Sequence, residues 1–258
     1  GLFRVKADGT IENFKYNAKD PHSLSSNFVR ACCEDNLGNI WIGTFNGLNR
    51  YNKITGLFQN HTANDTQADG LTHSSIWCIV KDNQGTLWLG TYFGGVNYFN
   101  PEYEIYTRYS YSSNEKKGLS NPVVGRTIED RDGNLWIGTE GGGLNYYNRR
   151  TREFKWYRPQ EGRNSISHNN VKALYYDADK EIIWIGTHLG GLNKLDIRSG
   201  HFTHYRMEEG NPNTLPSDII RDIIPYKSLL IIATQNGVCL FDPANGQCQQ
   251  PVSYTHLT

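Results

Sequence analysis

Five tandem copies of one unit, a tryptophan recurring at nearly fixed spacing, and strand-length apolar runs between tight turns predict an all-β chain. The fold they specify is a β-propeller of four-stranded antiparallel blades. The unit is first seen as GNIWIGTFNGLNRYN, Gly38 to Asn52, and returns from Gly85, Gly133 and Glu181, with a worn copy from Ser228. Its anchor column is Trp41, Trp88, Trp136, Trp184 and then Ile231, at spacings of 47, 48, 48 and 47 residues. A repeat of this length cannot bury its apolar face alone, so its period dictates the architecture.

The second copy shows how one unit is built. SIWCIVKD is a first apolar run, TLWLGT a second, VNYFN a third and IYTRYSY a fourth that alternates. Val, Ile, Tyr, Trp and Thr fill the runs, and Gly, Asn, Asp or Pro bound them, which is strand chemistry. The turns before each tryptophan, Asp35 to Gly38, Asp82 to Gly85 and Arg131 to Gly133, join local hydrogen-bonding side chains to a glycine able to adopt positive φ. The fourth, Asp177 to Glu181, is one residue longer and lacks the glycine, so a looser loop is expected there. A tryptophan buries roughly 150–250 Å². One per unit reads as the plug between neighbouring sheets. Gly43, Gly90, Gly138 and Gly186 recur two residues after it and complete the structural signature.

In chain order, residues 1–27 read as half a repeat, the third and fourth strands of a blade. Blades are expected at 28–74, 75–121, 122–169 and 170–216, with a degenerate one at 217–250 that carries Ile231 and Ala233 in place of Trp and Gly. The tail 251–258 fits no column and reads as non-native sequence or a linker. About five blades plus a leading half-blade imply a fragment cut from a larger propeller array. Left as an open arc it would expose strand edges and be poorly soluble.

Composition narrows the function classes. The 258 residues carry 26 Lys and Arg against 26 Asp and Glu, so no basic footprint points to nucleic acid. No run approaches the roughly 18 apolar residues of a membrane-spanning helix. Among the five cysteines, Cys33 takes the column of Val80 and Ile128, and Cys78 that of Ala31 and Ala173; these are small apolar positions. Cys239 and Cys248 lie on adjacent strands of the last blade and could pair. An odd count leaves the compartment open.

The full signature is an apolar strand, Glu-Asp, a Gly turn, Leu-Trp-Ile-Gly-Thr, Gly-Gly-Leu-Asn, an aromatic, and an Asn-Ser-Leu-Ser-like link. IEDRDGNLWIGTEGGGLNYYNRRTREFKWY, Ile128 to Tyr157, carries nearly all of it, and the links HSLSSNFV, DGLTHSSI, KGLSNPVV, NSISHNNV and NTLPSDII agree. This pattern resembles the two-component regulator propeller repeat. The resemblance implies seven-bladed propellers, often in tandem, in the extracytoplasmic (periplasmic) sensor of hybrid histidine kinases. It implies a membrane-anchored, homodimeric parent that feeds a phosphorelay and senses an oligosaccharide or another small polar ligand. No phosphoacceptor histidine motif or Gly-rich nucleotide box occurs in these residues, so the resemblance brings no kinase activity to them. No cofactor is implied. The Asp-x-x-Gly-x-x-Trp spacing also resembles the Asp box of sialidases, itself a turn device without catalysis.

Ligand candidates are the tips between second and third strands: Phe45-Asn46, Tyr92-Phe93, Glu140-Gly141, His188-Leu189 and Gln235-Asn236. They vary where their flanks repeat, as a recognition surface on a rigid scaffold would. Tyr92 and Phe93 offer ring faces to a sugar, while Asn46, Glu140 and His188 offer hydrogen bonds. The links should share that face and add His73 and His168, with His22, Asn121 and Asn169 in the same loop set. The histidine spacing follows no metal-ligand motif, so no metal is expected. Three function classes remain: a ligand-sensing module, a scaffold for protein association, and a glycan hydrolase or lyase. Hydrolysis normally needs two carboxylates over the substrate, and among the tips only Glu140 is acidic, with Asp218 at the entrance to the fifth blade.

Overall fold

The computed structural model describes residues 1–63 and 70–249; the tail at 251–258 lies outside them. β1 (Leu2–Val5) and β2 (Ile11–Phe14) form a two-stranded antiparallel sheet. Four-stranded meanders follow. The first comprises β3 (Val29–Glu34), β4 (Ile40–Thr44), β5 (Gly47–Tyr51) and β6 (Phe58–His61); the second comprises β7 (Ile76–Lys81), β8 (Leu87–Thr91), β9 (Val96–Asn100) and β10 (Ile105–Tyr109). The third comprises β11 (Val124–Glu129), β12 (Leu135–Thr139), β13 (Gly143–Asn148) and β14 (Glu153–Tyr157). The fourth runs through β15 (Val171–Asp177), β16 (Ile182–Thr187), β17 (Leu192–Asp196) and β18 (His201–Tyr205). The fifth has β19 (Ile220–Tyr226), β20 (Leu229–Thr234), β21 (Gly237–Phe241) and a two-residue β22 (Cys248–Gln249). Strand order follows chain order in every sheet, which makes each meander a propeller blade. The chain divides into two compact units, Gly1–Thr127 and Ile128–Thr258.

Within each unit the tryptophans plug the space between consecutive sheets. Trp41 meets Phe99 of the next sheet edge-on, with ring centroids 5.0 Å apart, and Trp184 meets Phe241 at 5.4 Å. The sheets approach closely because the residue two positions on has no side chain. A Cβ on Gly43 would stand 2.7 Å from Ile76 Cγ2, and one on Gly186 would stand 2.4 Å from Ile220 Cγ2. Gly90 and Gly138 face Val124 and Val171 in the same way. Cys33 and Val80 pair with Trp41 and Trp88 at the same register, so the repeat alignment that placed the cysteines holds in three dimensions.

The turn before each tryptophan is a hydrogen-bonded device. Asp35 Oδ1 accepts the backbone N–H groups of Leu37 and Asn39, both at 2.9 Å, and Gly38 takes φ 81° to close the turn. The second carboxylate oxygen accepts the indole N–H of Trp41 at 2.8 Å. Asp82 and Asp130 repeat this with Trp88 and Trp136 at 2.9 and 3.1 Å. The fourth turn is not the looser loop that its length suggests. Its extra residue lets the ladder run on to Asp177↔Ile182, and Glu181 adopts φ 53° where the other turns place glycine. Asp177 is thereby drawn into the strand, and the buried Nε1 of Trp184 has no partner.

A second repeated clasp ties the links of the first, second and fourth blades to those blades. Asn49, Asn97, Asn145 and Asn193 are fully buried on the third strands. Asn49 Oδ1 accepts the N–H of Ser25 at 2.7 Å, Asn97 Oδ1 that of Thr72 at 3.1 Å, and Asn193 Oδ1 that of Ser167 at 2.8 Å. In the fifth sheet both halves change together: the link residue is Pro216, which has no N–H, and the third-strand residue is Cys239.

Candidate functional site

The first strand of four blades carries a β-bulge near its start. The register slips between Val29 and Ala31, Ile76 and Cys78, Val171 and Ala173, and Ile220 and Asp222. The unpaired residues are Arg30, Trp77, Lys172 and Arg221. A bulge re-aims a side chain at the end of a sheet, and here it points each one toward the neighbouring hairpin tips. Backbone bonds fix the tips to the chain that precedes the bulge: Phe45 N to Phe28 O and Tyr92 N to Ser75 O, both 3.0 Å, and His188 N to Asn170 O, 2.9 Å. The threonine ending each second strand closes its hairpin, as with Thr91 Oγ1 donating to Gly95 O at 2.8 Å.

In unit 1 these devices assemble an aromatic and cationic cluster. The Arg30 guanidinium lies 4.1 Å from the Trp77 ring centroid and 5.6 Å from that of Phe45. Trp77 stacks on Tyr92, with centroids 5.5 Å apart and planes 14° from parallel. Tyr92 meets Phe93 edge-on at 4.4 Å, and His73 lies 6.2 Å from Phe93. Phe45 and Phe93 remain 54% and 57% exposed, so their rings are open to a ligand. Tyr92 is not the open platform its sequence position suggests, because Trp77 covers it. His73 Nδ1 accepts the N–H of Ser75 at 3.0 Å, which leaves Nε2 to carry the proton of the neutral ring. Asn46 is exposed beside Phe45, its backbone N–H held by Thr44 Oγ1 at 3.1 Å.

Unit 2 places the remaining candidates in pairs. Glu140 forms an ion pair with Lys172. The rings of His168 and His188 lie 6.5 Å apart; burial, and then the neighbouring His188 and Arg206, hold His168 below the ordinary histidine range. His188 Nδ1 is buried without a partner. Arg221 reaches Gln235 Oε1 at 3.4 Å, and Asn236 Nδ2 donates to Pro216 O at 3.5 Å. Asp218 sits beside Arg206 at 3.5 Å, so the two acids noted in the sequence each face a cation. Among the described residues no group of three or more His, Cys, Asp or Glu side chains could hold a metal ion.

Arg30, Trp77, Lys172 and Arg221 are the residues that sequence reasoning missed. Their signal is a column that changes identity, Arg30, Trp77, Gly125, Lys172 and Arg221, after a β-branched residue that does not: Val29, Ile76, Val124, Val171 and Ile220. Period-two alternation hides it, because a bulge breaks the alternation at that one residue.

The two component regulator propeller model matches residues 23–46, 70–93, 118–141 and 165–188. Those four segments are two-component regulator propeller repeats. Each match runs from a link through two strands to the hairpin tip, and the fifth copy, which lacks the Trp and the Gly, is outside the matched segments. Among solved structures, the repeats superpose on the extracellular domain of a protein described as the hybrid two component system BT3049 from B. thetaiotaomicron. The TM-score is 0.75 at 21% identity, over 88% of this chain and 30% of that one. Virginiamycin B lyase from Staphylococcus aureus gives 0.69 at 13% identity, over 97% and 77% of the two chains. PorZ, a surface component of the type-IX secretion system of Porphyromonas gingivalis, gives 0.63 at 19% identity, over 86% and 33%. At these identities the likeness is one of fold. No curated protein matches the sequence.

Proposed function

We propose that this chain is a ligand-sensing propeller region on the extracytoplasmic side of a two-component signalling protein, and that it binds an oligosaccharide at the hairpin tips of unit 1. The observation that carries the reading is the Arg30, Phe45, Trp77, Tyr92 and Phe93 cluster. Half-exposed rings give a sugar a flat apolar face, and the guanidinium and the His73 and Asn46 side chains supply directional hydrogen bonds. The frame is rigid: Arg30 is held among rings and the tips are tied by backbone bonds, so little ordering opposes binding. The repeat family supports the signalling role, and the extracellular placement of the BT3049 domain supports the location.

Catalysis is not part of this reading. Hydrolysis of a glycoside needs a proton donor and a second carboxylate at a fixed separation, and Glu140 is neutralised by Lys172. In the signalling protein, ligand at the tips would bias how homodimeric sensor regions dock, and the membrane anchor would carry that shift inward.

Titration of the chain with a panel of neutral and acidic oligosaccharides, followed by tryptophan fluorescence and calorimetry, tests the proposal. Saturable binding that weakens at least tenfold in Arg30→Ala and in Phe93→Ala, with the oligosaccharide recovered intact, is the expected result. Binding indifferent to both substitutions, or cleavage of the sugar, overturns it.

A further inference from the structure

Cys239 on β21 and Cys248 on β22 are buried in the core of the fifth sheet, and their sulfurs lie 3.1 Å apart. We propose that they are a modification site, joined in the mature protein as an intrachain disulfide that pins the edge strand of the fifth blade.

The placement favours it. Phe241 pairs with Cys248, so Cys239 lies one diagonal step away on the adjacent strand. The sulfurs need to close by only about 1 Å to reach a bond of about 2.05 Å. The other thiols are placed differently: Cys32 and Cys33 are neighbours on β3 and so point to opposite faces, and Cys78 is buried against Thr127.

The fifth sheet also needs a tether more than the others do. It has lost the tryptophan plug to Ile231 and the asparagine clasp to the Cys239 and Pro216 pair. Its last strand keeps two register pairs, Leu240↔Gln249 and Phe241↔Cys248, and Cys248 N reaches back to Asn213 O at 2.8 Å. A bond from Cys248 to the central Cys239 fixes that strand where the clasp cannot.

The chemistry has a direction. The Cys239 thiol donates to the Cys248 sulfur, which lowers the Cys248 thiol and raises that of Cys239, with burial adding to the latter. Once the two thiols meet in the closing blade, Cys248 is the first nucleophile. Its thiolate attacks one sulfur of an oxidising disulfide, a dithiol oxidase of the extracytoplasmic space or oxidised glutathione, and expels one thiolate from it. Cys239 then loses its proton and attacks the Cys248 sulfur of the mixed disulfide, expelling the second. Two protons and two electrons leave the pair, and the oxidant disulfide is reduced to two thiols. Both sulfurs are buried in the folded sheet, so the exchange takes place while the last blade is closing. Only the cellular supply of oxidant rests on the proposed location; a glutathione buffer replaces it in the test.

The full chain is refolded in mixed reduced and oxidised glutathione, alkylated, and cleaved before Asp242, which lies between the two cysteines. The expected result is two peptides joined through Cys239 and Cys248, with three cysteines alkylated per chain. Five alkylated cysteines, or a bridge involving Cys32, Cys33 or Cys78, overturn the site. Reduction should lower the unfolding midpoint by about 5 °C or more, as for a short closed loop in a chain of this size. A mapped bridge whose reduction leaves the midpoint unchanged overturns the tethering role.

Discussion

The indole N–H of Trp41 donates to Asp35 Oδ2 at 2.8 Å, while the corresponding nitrogen of Trp184 is buried with no acceptor. Asp35 thus joins a turn to a plug: one side chain accepts from Leu37 N, Asn39 N, Asn39 Nδ2 and Trp41 Nε1. Asp35→Ala should cost about 2–4 kcal/mol, since it strands the buried indole N–H of Trp41 and three part-buried donors at once. Asp177→Ala should cost at most about 1 kcal/mol, because among the described residues Asp177 meets only Lys180 besides its ladder partners. Urea unfolding of both variants checks the contrast. The same carboxyl carries an acid signature. Burial pushes Asp35 up, but the hydrogen bonds from Asn39, Trp41 and Leu37 outweigh it and hold the group below the ordinary aspartate value. Its stabilising contribution is complete above the unfolded value, near 4, and is lost as pH falls from there through the lower folded value.

Most of the fold was legible because the chain states it repeatedly. Trp41 and its equivalents and the glycines after them recur in the first four blades, and the Asp-containing turns hold the Trp in the first three, so position in the repeat predicts burial. The site was only partly legible. The tip residues stand out in the sequence because they vary between constant flanks. Arg30 and Trp77 were missed because they lie inside a strand, and only a bulge reveals that their side chains serve the end of the sheet. Trp77 was obscured further by lying outside the tryptophan column. The fourth turn misled because an added residue extended the ladder instead of the loop.

Gly186 fills a gap too narrow for a methyl group. A Cβ there would lie 2.4 Å from Ile220 Cγ2, 2.9 Å from Ile220 Cβ and 3.0 Å from Ala173 Cβ. These are packed strand side chains with nowhere to turn, so Gly186→Ala should destabilise the chain by about 1–3 kcal/mol. Ala233, in the same column of the fifth sheet, already carries the methyl group. Ala233→Gly should cost no more than about 1 kcal/mol, through backbone entropy. Equal losses in denaturant melts of the two variants would show that the sheet-to-sheet approach is not what selects glycine.

His61 is a half-buried base in an aromatic setting. Its ring lies 5.6 Å from Trp41 and 5.9 Å from Phe99, and its Nε2 is buried with no partner. Burial holds it below the ordinary histidine value; Glu104 opposes that shift and Arg50 adds to it. The unfolded chain therefore binds a proton first as pH falls. Stability is complete above about 6.5 and declines as pH drops from there through the lower folded value. Thermal melts between pH 8 and 5 should show that decline, and His61→Phe should flatten it. His168, depressed for related reasons, titrates in the same window, so His168→Gln should flatten it further.

Pro216 offers the sharpest test of how the fifth blade differs. In the first, second and fourth blades the link N–H at this column, from Ser25, Thr72 and Ser167, enters a buried asparagine oxygen. Substituting toward the other repeats would ordinarily be expected to stabilise. Here Pro216→Ser should do the reverse, by about 1–2 kcal/mol, because it restores a donor opposite Cys239, which is a poor acceptor. It also gives back the unfolded-state freedom that proline removes. Asn49→Ala in the first blade should cost more, about 2–4 kcal/mol, since Ser25 N loses its acceptor and a fully buried side chain is deleted. A stabilising Pro216→Ser in equilibrium unfolding would mean that the fifth link finds another acceptor, and that the paired change to proline and cysteine is not a lost clasp.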